Sequence, residues 1–423
     1  MRIRDWDQNL KVRLYGEALM NISYWMFFPF LTIYFADEFG KNRAGFLLIF
    51  SQVFSVLANL MGGYSADRFG RKRMMVLSSV GQGLSFMAFA FASSPWFQSP
   101  MLGFAAFTVA GVFGSLYWPA SQAMVADVVD EKNRSEVFAI FYTSLNIAVV
   151  AGPILGAIFY VHYRFELLVV SGIICILLGA VLSKWARETV RVREQNASGG
   201  QGKWHHFLQS QLKDYSVIAS DRVFLLYIMA GILVGQTSVQ LDLLLPVYIK
   251  DVLKSEIIFP TISVTGEQTF GIVLAENGLL VALLTVIITK WMGKYYERNV
   301  FILSSIIWAV SIMLFSVTHS FWGFIIAMAV YTFGELASSG IQQGFVAKIA
   351  PEHMRGQYFA ISSLRYTFSR MIAPIFIPMT VWIGYVWTFF VLAVLSLLSA
   401  LLYWLMFYLY EKKKTHIPFR GAQ

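Results

Sequence analysis

The chain contains one cysteine, few charges and no clustered histidines. Cys175 stands alone inside an apolar run, so no disulfide can form within a single chain. Asp, Glu, Lys and Arg together make up 13% of 423 residues, against roughly 25% in an average soluble domain. Six histidines in no tight group argue against a structural metal centre. No nucleotide-binding motif and no nucleophile–base pair is visible, which removes a motor driven by nucleotide hydrolysis and argues against an enzyme. The first residues, MRIRDWDQNLKVR, are polar and lack an adjacent signal-peptide core with a small-residue cleavage site. The first apolar run is therefore expected to stay as a span.

What the chain does have is apolar surface. Hydrophobic residues reach 57% and aromatics 16%, with 37 Phe, where soluble domains hold about 45–50% apolar residues. Mean hydropathy is +0.61. Apolar runs long enough to cross a bilayer recur from end to end, continuous rather than alternating, which favours helices over a barrel. Soluble enzymes, disordered chains and nucleic-acid modules are excluded as the main reading.

Twelve helical spans are predicted near 12–36, 44–65, 74–94, 99–125, 136–158, 164–184, 222–249, 269–290, 299–318, 321–346, 357–380 and 383–409. The one long connection, about 185–221, contains the polar stretch Asn196–Gln201 and a surface helix expected around Trp204–Tyr215. The expected domains are a six-helix bundle at 1–185, a linker at 186–221 and a second bundle at 222–423. The formal charge of +9 follows from 33 Lys and Arg against 24 Asp and Glu. With the N-terminus on the cytoplasmic side, all basic residues except Lys41, Arg43, Arg164, Lys250 and Lys254 fall on that side. This asymmetry places both termini in the cytoplasm and accounts for the charge without a nucleic-acid partner. An internal echo supports duplication: MVADVVDEKNRSEVFA at 124–139 and FVAKIAPEHMRGQYFA at 345–360 share Ala, Glu, Arg and Phe-Ala positions at a fixed offset.

The most specific local feature is Gly62-Gly63-Tyr64-Ser65-Ala66-Asp67-Arg68-Phe69-Gly70-Arg71-Lys72-Arg73, between the second and third spans. Its glycines permit close helix approach and a tight turn. Asp67 can pair with an arginine or accept from a neighbouring helix terminus. A plain basic anchor loop is the alternative. Gly63, Asp67, Arg68, Gly70, Arg71 and Lys72 closely resemble motif A of the major facilitator superfamily. The resemblance implies an all-α polytopic membrane protein, with twelve transmembrane helices in two pseudo-symmetric six-helix bundles. It also implies alternating access, with Asp67 and its neighbours acting as a conformational gate. The fifth span carries Asn146-Ile-Ala-Val-Val-Ala-Gly152-Pro153-Ile-Leu-Gly156-Ala157. Gly152, Pro153 and Gly156 resemble motif C of the proton-coupled antiporters, although Ala148 and Ala157 replace two usual glycines. The fourth span lacks the arginine of motif B and offers Tyr117, Trp118, Pro119, Gln122 and Asp127 instead. Asp127, the Asp67 motif and Arg13 together resemble the drug/proton antiporter subgroup of the lactococcal multidrug antiporter LmrP.

A carboxylate within a span defaults to a functional hypothesis. Glu17, Asp127, Asp242, Glu276 and Glu335 qualify. Glu335 lies near the middle of the tenth span among small residues, and its place resembles the embedded acid of the LmrP-like proteins. Asp242 lies in the seventh span near Gln236 and Gln240, and Glu276 is followed by Asn277 in the eighth. Glu17 stands four residues after Arg13, as an interfacial ion pair or as part of the gate. Arg365 is expected to snorkel to the cytoplasmic face. Tyr24 and other aromatics of the first and fourth spans, Trp118 among them, suit a cavity for lipophilic cations.

These features favour a proton-coupled multidrug antiporter of the bacterial cell membrane, exporting lipophilic, often cationic, compounds. The alternative is a carrier for one defined solute such as a sugar, peptide, siderophore or lipid-linked metabolite. The expected partners are protons, a small-molecule substrate and membrane lipids. No cofactor or metal is implied, and one chain is expected to function as a monomer.

Overall fold

In the computed structural model, the described residues are 3–189, 221–260, 262–350 and 355–415. The surface helix expected around Trp204–Tyr215 and Glu352 of the internal echo lie outside them. Among the described residues, ten helices are long and apolar enough to cross a membrane. Two of these, Gln8–Phe69 and Ile361–Lys412, contain 62 and 52 residues. At 1.5 Å per residue they would reach about 93 and 78 Å, far beyond a hydrocarbon core of about 30 Å. Each turns back at a glycine, Gly40 with φ 75° and Gly384 with φ 80°. That backbone region is open to glycine and strained for other residues. Counted as two crossings each, these helices give the twelve spans expected from the sequence.

Two predicted helices are broken, and proline explains both. The seventh span divides into Arg222–Val239 and Leu244–Val252. Pro246 has no N–H for the carbonyl of Asp242 four residues earlier, and its ring crowds that carbonyl. The freed carbonyl instead accepts the Thr32 hydroxyl at 3.1 Å. Asp242 therefore lies in a turn and not within a helix. The eleventh span runs Arg355–Ile372, passes through a 3-10 turn at Ala373–Ile375 containing Pro374, and resumes at Phe376. One element was not anticipated. Strands Ser255–Phe259 and Ile262–Thr265 form an antiparallel hairpin with Ser255 opposite Thr265 and Glu256 opposite Val264.

The chain forms two compact units. The first comprises Met1–Ala197 and Asp242–Gly278, and the second Ser198–Leu241 and Leu279–Gln423. Helices in the first unit approach through small residues. Gly83 lies against the Gly172 carbonyl, and Ser79 donates to the Cys175 carbonyl at 2.6 Å. The core of the second unit gathers Phe224, Tyr227, Phe301, Phe345, Tyr403 and Phe407. On outer faces, Leu77, Leu84, Leu283, Val286 and Ile287 are more than half exposed. This is the pattern expected of helices solvated by lipid.

Candidate functional site

The first span is capped at its start by Asp7, which accepts from the Asn9 backbone at 2.8 Å. Two turns on, Arg13 and Glu17 lie on one face at i,i+4 and are 1% and 6% exposed. The pair is thus buried, not interfacial. Arg13 Nε donates to Glu17 Oε1 at 2.8 Å and Nη2 to Oε2 at 3.3 Å. The fourth span adds Tyr117 and Ser121, whose hydroxyls each donate to Glu17 Oε1 at 2.9 Å. Arg13 also donates to the Ser121 hydroxyl, and its guanidinium lies 4.6 Å from the Phe141 ring centre. The Glu17 carboxylate thus accepts four hydrogen bonds, two of them from the Arg13 guanidinium. Ser121 was missed in the sequence, although Tyr117 and Ser121 share a helical face at i,i+4.

A second charged group lies at the Asp67 motif. Asp67 pairs with Arg71 one turn on, and Arg71 Nε donates to Asp127 Oδ2 at 3.3 Å. Asp127 thus pairs with the motif's arginine. Two residues after the sixth span complete the cluster. Thr189 donates its hydroxyl to Asp127 Oδ2 at 2.8 Å. Glu188 Oε1 accepts from the backbone N–H groups of Arg71 at 2.8 Å, Thr189 at 3.1 Å and Lys72 at 3.4 Å. Glu188 thus caps the helix Arg71–Ala92, where the N–H groups of the first turn have no partner of their own. Gly70 sits beneath it with φ 99°, and a β-carbon there would fall 2.8 Å from the Glu188 Cδ. The motif's glycine thereby leaves room for a carboxylate supplied 118 positions away. Arg68 donates to the Tyr64 hydroxyl at 3.0 Å.

Of the two adjacent glycines, Gly62 makes the close contact: a β-carbon there would lie 3.0 Å from Pro119 Cγ. At Gly63 it would meet nothing within 4 Å, so packing in this unit does not require Gly63. In the fifth span the small residues have a clear partner. A β-carbon at Gly152 would approach the Trp25 carbonyl carbon to 2.9 Å, and one at Gly156 the Phe30 ring to 2.6 Å. The first and fifth spans therefore touch backbone to backbone. On another face of the fifth span, Pro153 O and Val150 Cγ2 lie 3.1 and 2.6 Å from β-carbon positions at Gly271 and Gly278. This contact carries the start of the eighth span.

Asp242, Glu276 and Asn277 fall in the first unit and Glu335 in the second. Asn277 is buried and Glu276 half-buried, with Glu276 Oε2 inaccessible and lacking a hydrogen-bond donor. Glu335 is half-buried. Tyr24 stacks on Phe28 at 4.6 Å between ring centres and meets Phe27 edge-on at 5.6 Å. Gln122 is half-buried and Trp118 half-exposed. At the Gly40 end of the first unit, Asp37 pairs with Lys250 and Lys41 with Asp251, two pairs that tie the corner to the end of the seventh span. Arg164 lies 4.1 Å above the Tyr34 ring.

In the second unit, Asp221 caps Arg222–Val239 by accepting from Val223 at 3.1 Å and also accepts the Tyr358 hydroxyl at 3.1 Å. Arg365 does not snorkel freely. Its guanidinium lies 4.2 Å from the Tyr227 ring centre and donates to the Ser362 carbonyl and to Gln342 Oε1.

Among the described residues, helices enough for twelve crossings, with charged clusters near helix ends, define a polytopic helical membrane protein. The chain belongs to the Major Facilitator Superfamily, whose profile matches residues 14–266 and 256–422. It is 57% identical to a protein of Planococcus maritimus named Na(+), Li(+), K(+)/H(+) antiporter, over 98% of this chain and 99% of that one. It is 22% identical to the multidrug resistance protein MdtH of Baumannia cicadellinicola, over 83% of this chain and 79% of that one. Among solved structures, a POT family transporter in complex with 5-aminolevulinic acid superposes with a TM-score of 0.75 at 17% identity, covering 96% of both chains.

Proposed function

We propose that this protein is a secondary antiporter that exchanges protons for monovalent alkali cations by alternating access. The observation that carries this reading is the 57% identity, over nearly the whole of both chains, with a relative named as a Na(+), Li(+), K(+)/H(+) antiporter. The chemistry of the spans supports it. Glu276 presents a buried carboxylate oxygen without a donor, and such an oxygen can take either a proton or a cation, but not both. Competition for one carboxylate is the simplest basis for antiport. In this reading Asp242, Glu276, Asn277 and Glu335 serve exchange. Asp67, Arg68, Arg71, Lys72 and Asp127 control access, with Gly63 and Gly70 shaping their turn. The Arg13–Glu17 pair holds the first and fourth spans together as part of the same gate. Gly152, Pro153 and Gly156 let the fifth span pack closely against its neighbours during the cycle. The protein would work as a monomer in a bacterial cell membrane, with both termini cytoplasmic and bundles at 1–185 and 222–423.

Everted membrane vesicles test this. After respiration acidifies their lumen, adding Na(+), Li(+) or K(+) is expected to release protons in vesicles carrying the protein and not in controls. Absence of a cation-dependent pH change would refute it.

A second reading, export of lipophilic cations, draws on the stacked Tyr24 and Phe28 and on the relative named as a multidrug resistance protein. It also retains the likeness of Asp67, Asp127 and Arg13 to the lactococcal subgroup. Gradient-dependent ethidium movement in the same vesicles separates it from the first.

A further inference from the structure

The helix Arg222–Val239 ends in an unusual way. The Gln240 backbone N–H donates to the Thr237 carbonyl at 3.2 Å, so the last turn tightens and the Gln236 carbonyl loses its usual donor four residues on. The Gln240 side chain takes that place. Its Nε2 donates to the Gln236 carbonyl at 2.9 Å and to the Ala373 carbonyl at 3.4 Å. Ala373 begins the 3-10 turn that follows the helix Arg355–Ile372. One carboxamide thus stitches together two helix ends within the second unit.

Gln236 is arranged likewise, with Nε2 donating to the Ile232 carbonyl at 3.1 Å. In both residues the amide nitrogen faces a carbonyl oxygen, which fixes the orientation of the group; turning it over would set oxygen against oxygen. The two carboxamide oxygens consequently have no donor, in side chains only 2% and 0% exposed. Buried acceptors are almost always satisfied, and an exception calls for a proton donor or a cation. The two residues are four apart and share a helical face. Interrupted membrane helices place carbonyl-rich ends where alkali cations bind, and neutral carbonyl oxygens can replace the hydration shell of such an ion. The basic residue of the adjoining last turn, Arg370, donates back to the Tyr366 hydroxyl at 3.1 Å.

We propose that the Gln236 and Gln240 carboxamide oxygens are ligands for a dehydrated monovalent alkali cation where these two helices are interrupted. This names part of the substrate site and rests on the cation-exchange reading above.

The test uses the purified full chain and Gln236→Met, which keeps length and removes the oxygen. Gln240 is left intact because it also joins the helices. Thermal unfolding is followed in NaCl, KCl or choline chloride at equal ionic strength, and cation/proton exchange is measured in proteoliposomes. Na(+) or K(+) is expected to raise the melting temperature of the unaltered protein over choline, and Gln236→Met to lose most of that rise. The apparent KM for the cation is expected to increase about tenfold, equivalent to about 1.4 kcal/mol. Exchange with an unchanged KM in Gln236→Met overturns the site and leaves the antiport reading standing. Cation-specific stabilisation lost in Gln236→Met, without exchange in the unaltered protein, upholds the site and overturns antiport. Neither stabilisation nor exchange overturns both. Should Gln236→Met fail to fold, an unaltered protein stabilised equally by choline and alkali salts overturns the site.

Discussion

Replacing Glu17 with alanine should be among the most damaging single substitutions in the first unit. The carboxylate accepts two hydrogen bonds from Arg13 and one each from Tyr117 and Ser121. Its removal leaves a guanidinium that is 1% exposed without a counter-charge, and Arg13 Nη1 already lacks a partner. Breaking a buried ion pair from one side costs about 3–5 kcal/mol, because the remaining charge stays desolvated. Glu17→Gln keeps the shape and one acceptor but sets an amide against the guanidinium, so about 1.5–3 kcal/mol is expected. The paired change Arg13→Met with Glu17→Met removes both charges, and similar buried replacements range from neutral to stabilising by about 1–4 kcal/mol. Unfolding of the purified protein in mixed detergent and SDS micelles, followed by tryptophan fluorescence, ranks the variants. The reasoning fails if Glu17→Ala lies within about 1 kcal/mol of the unaltered protein, or if the double variant is as unstable as Glu17→Ala.

Five further outcomes follow from the geometry. Gly70→Ala should lower stability by at least about 1–2 kcal/mol, since φ 99° strains any β-carbon and the Glu188 carboxylate occupies its place; Gly63→Ala should stay within about 0.5 kcal/mol. Glu188→Gln, measured in the same unfolding titration, should cost about 0.5–2 kcal/mol as the cap of Arg71–Ala92 weakens. Gly156→Leu should prevent the first and fifth spans from meeting and abolish recovery of monodisperse protein on size-exclusion chromatography. Asp67→Asn should slow exchange several-fold in proteoliposomes while leaving folding intact; an unchanged rate counts against the gating role.

Much of the architecture was legible because bilayer thickness constrains sequence strongly: apolar runs of fixed length and basic connections gave the twelve crossings. Finer features were written in a different register. Pro246 and Pro374 mark both helix breaks through the carbonyl four residues earlier, a signal overlooked beneath continuous hydropathy. The hairpin at Ser255–Thr265 has short β-branched runs around Pro260, the usual sign of two strands. The motif shows Asp67 and Arg71 four residues apart, but nothing local in the sequence shows that Arg71 also reaches Asp127, 56 positions on. Glu188 and Thr189 had no local signal. Their partners are distant in the chain, and only the closed fold brings the end of the sixth span to the start of the third. The favoured substrate also changed: aromatic content pointed to organic cations, yet any membrane core is rich in aromatics, whereas the relative sharing 57% identity carries the name of an alkali-cation antiporter.

The most direct measurement reconstitutes the purified protein in liposomes with an imposed pH gradient and adds Na(+), K(+) or ethidium separately. The account predicts that alkali cations collapse the gradient in a protein-dependent, saturable way and that choline does not. Collapse by ethidium alone, or a gradient indifferent to every added cation, would contradict it.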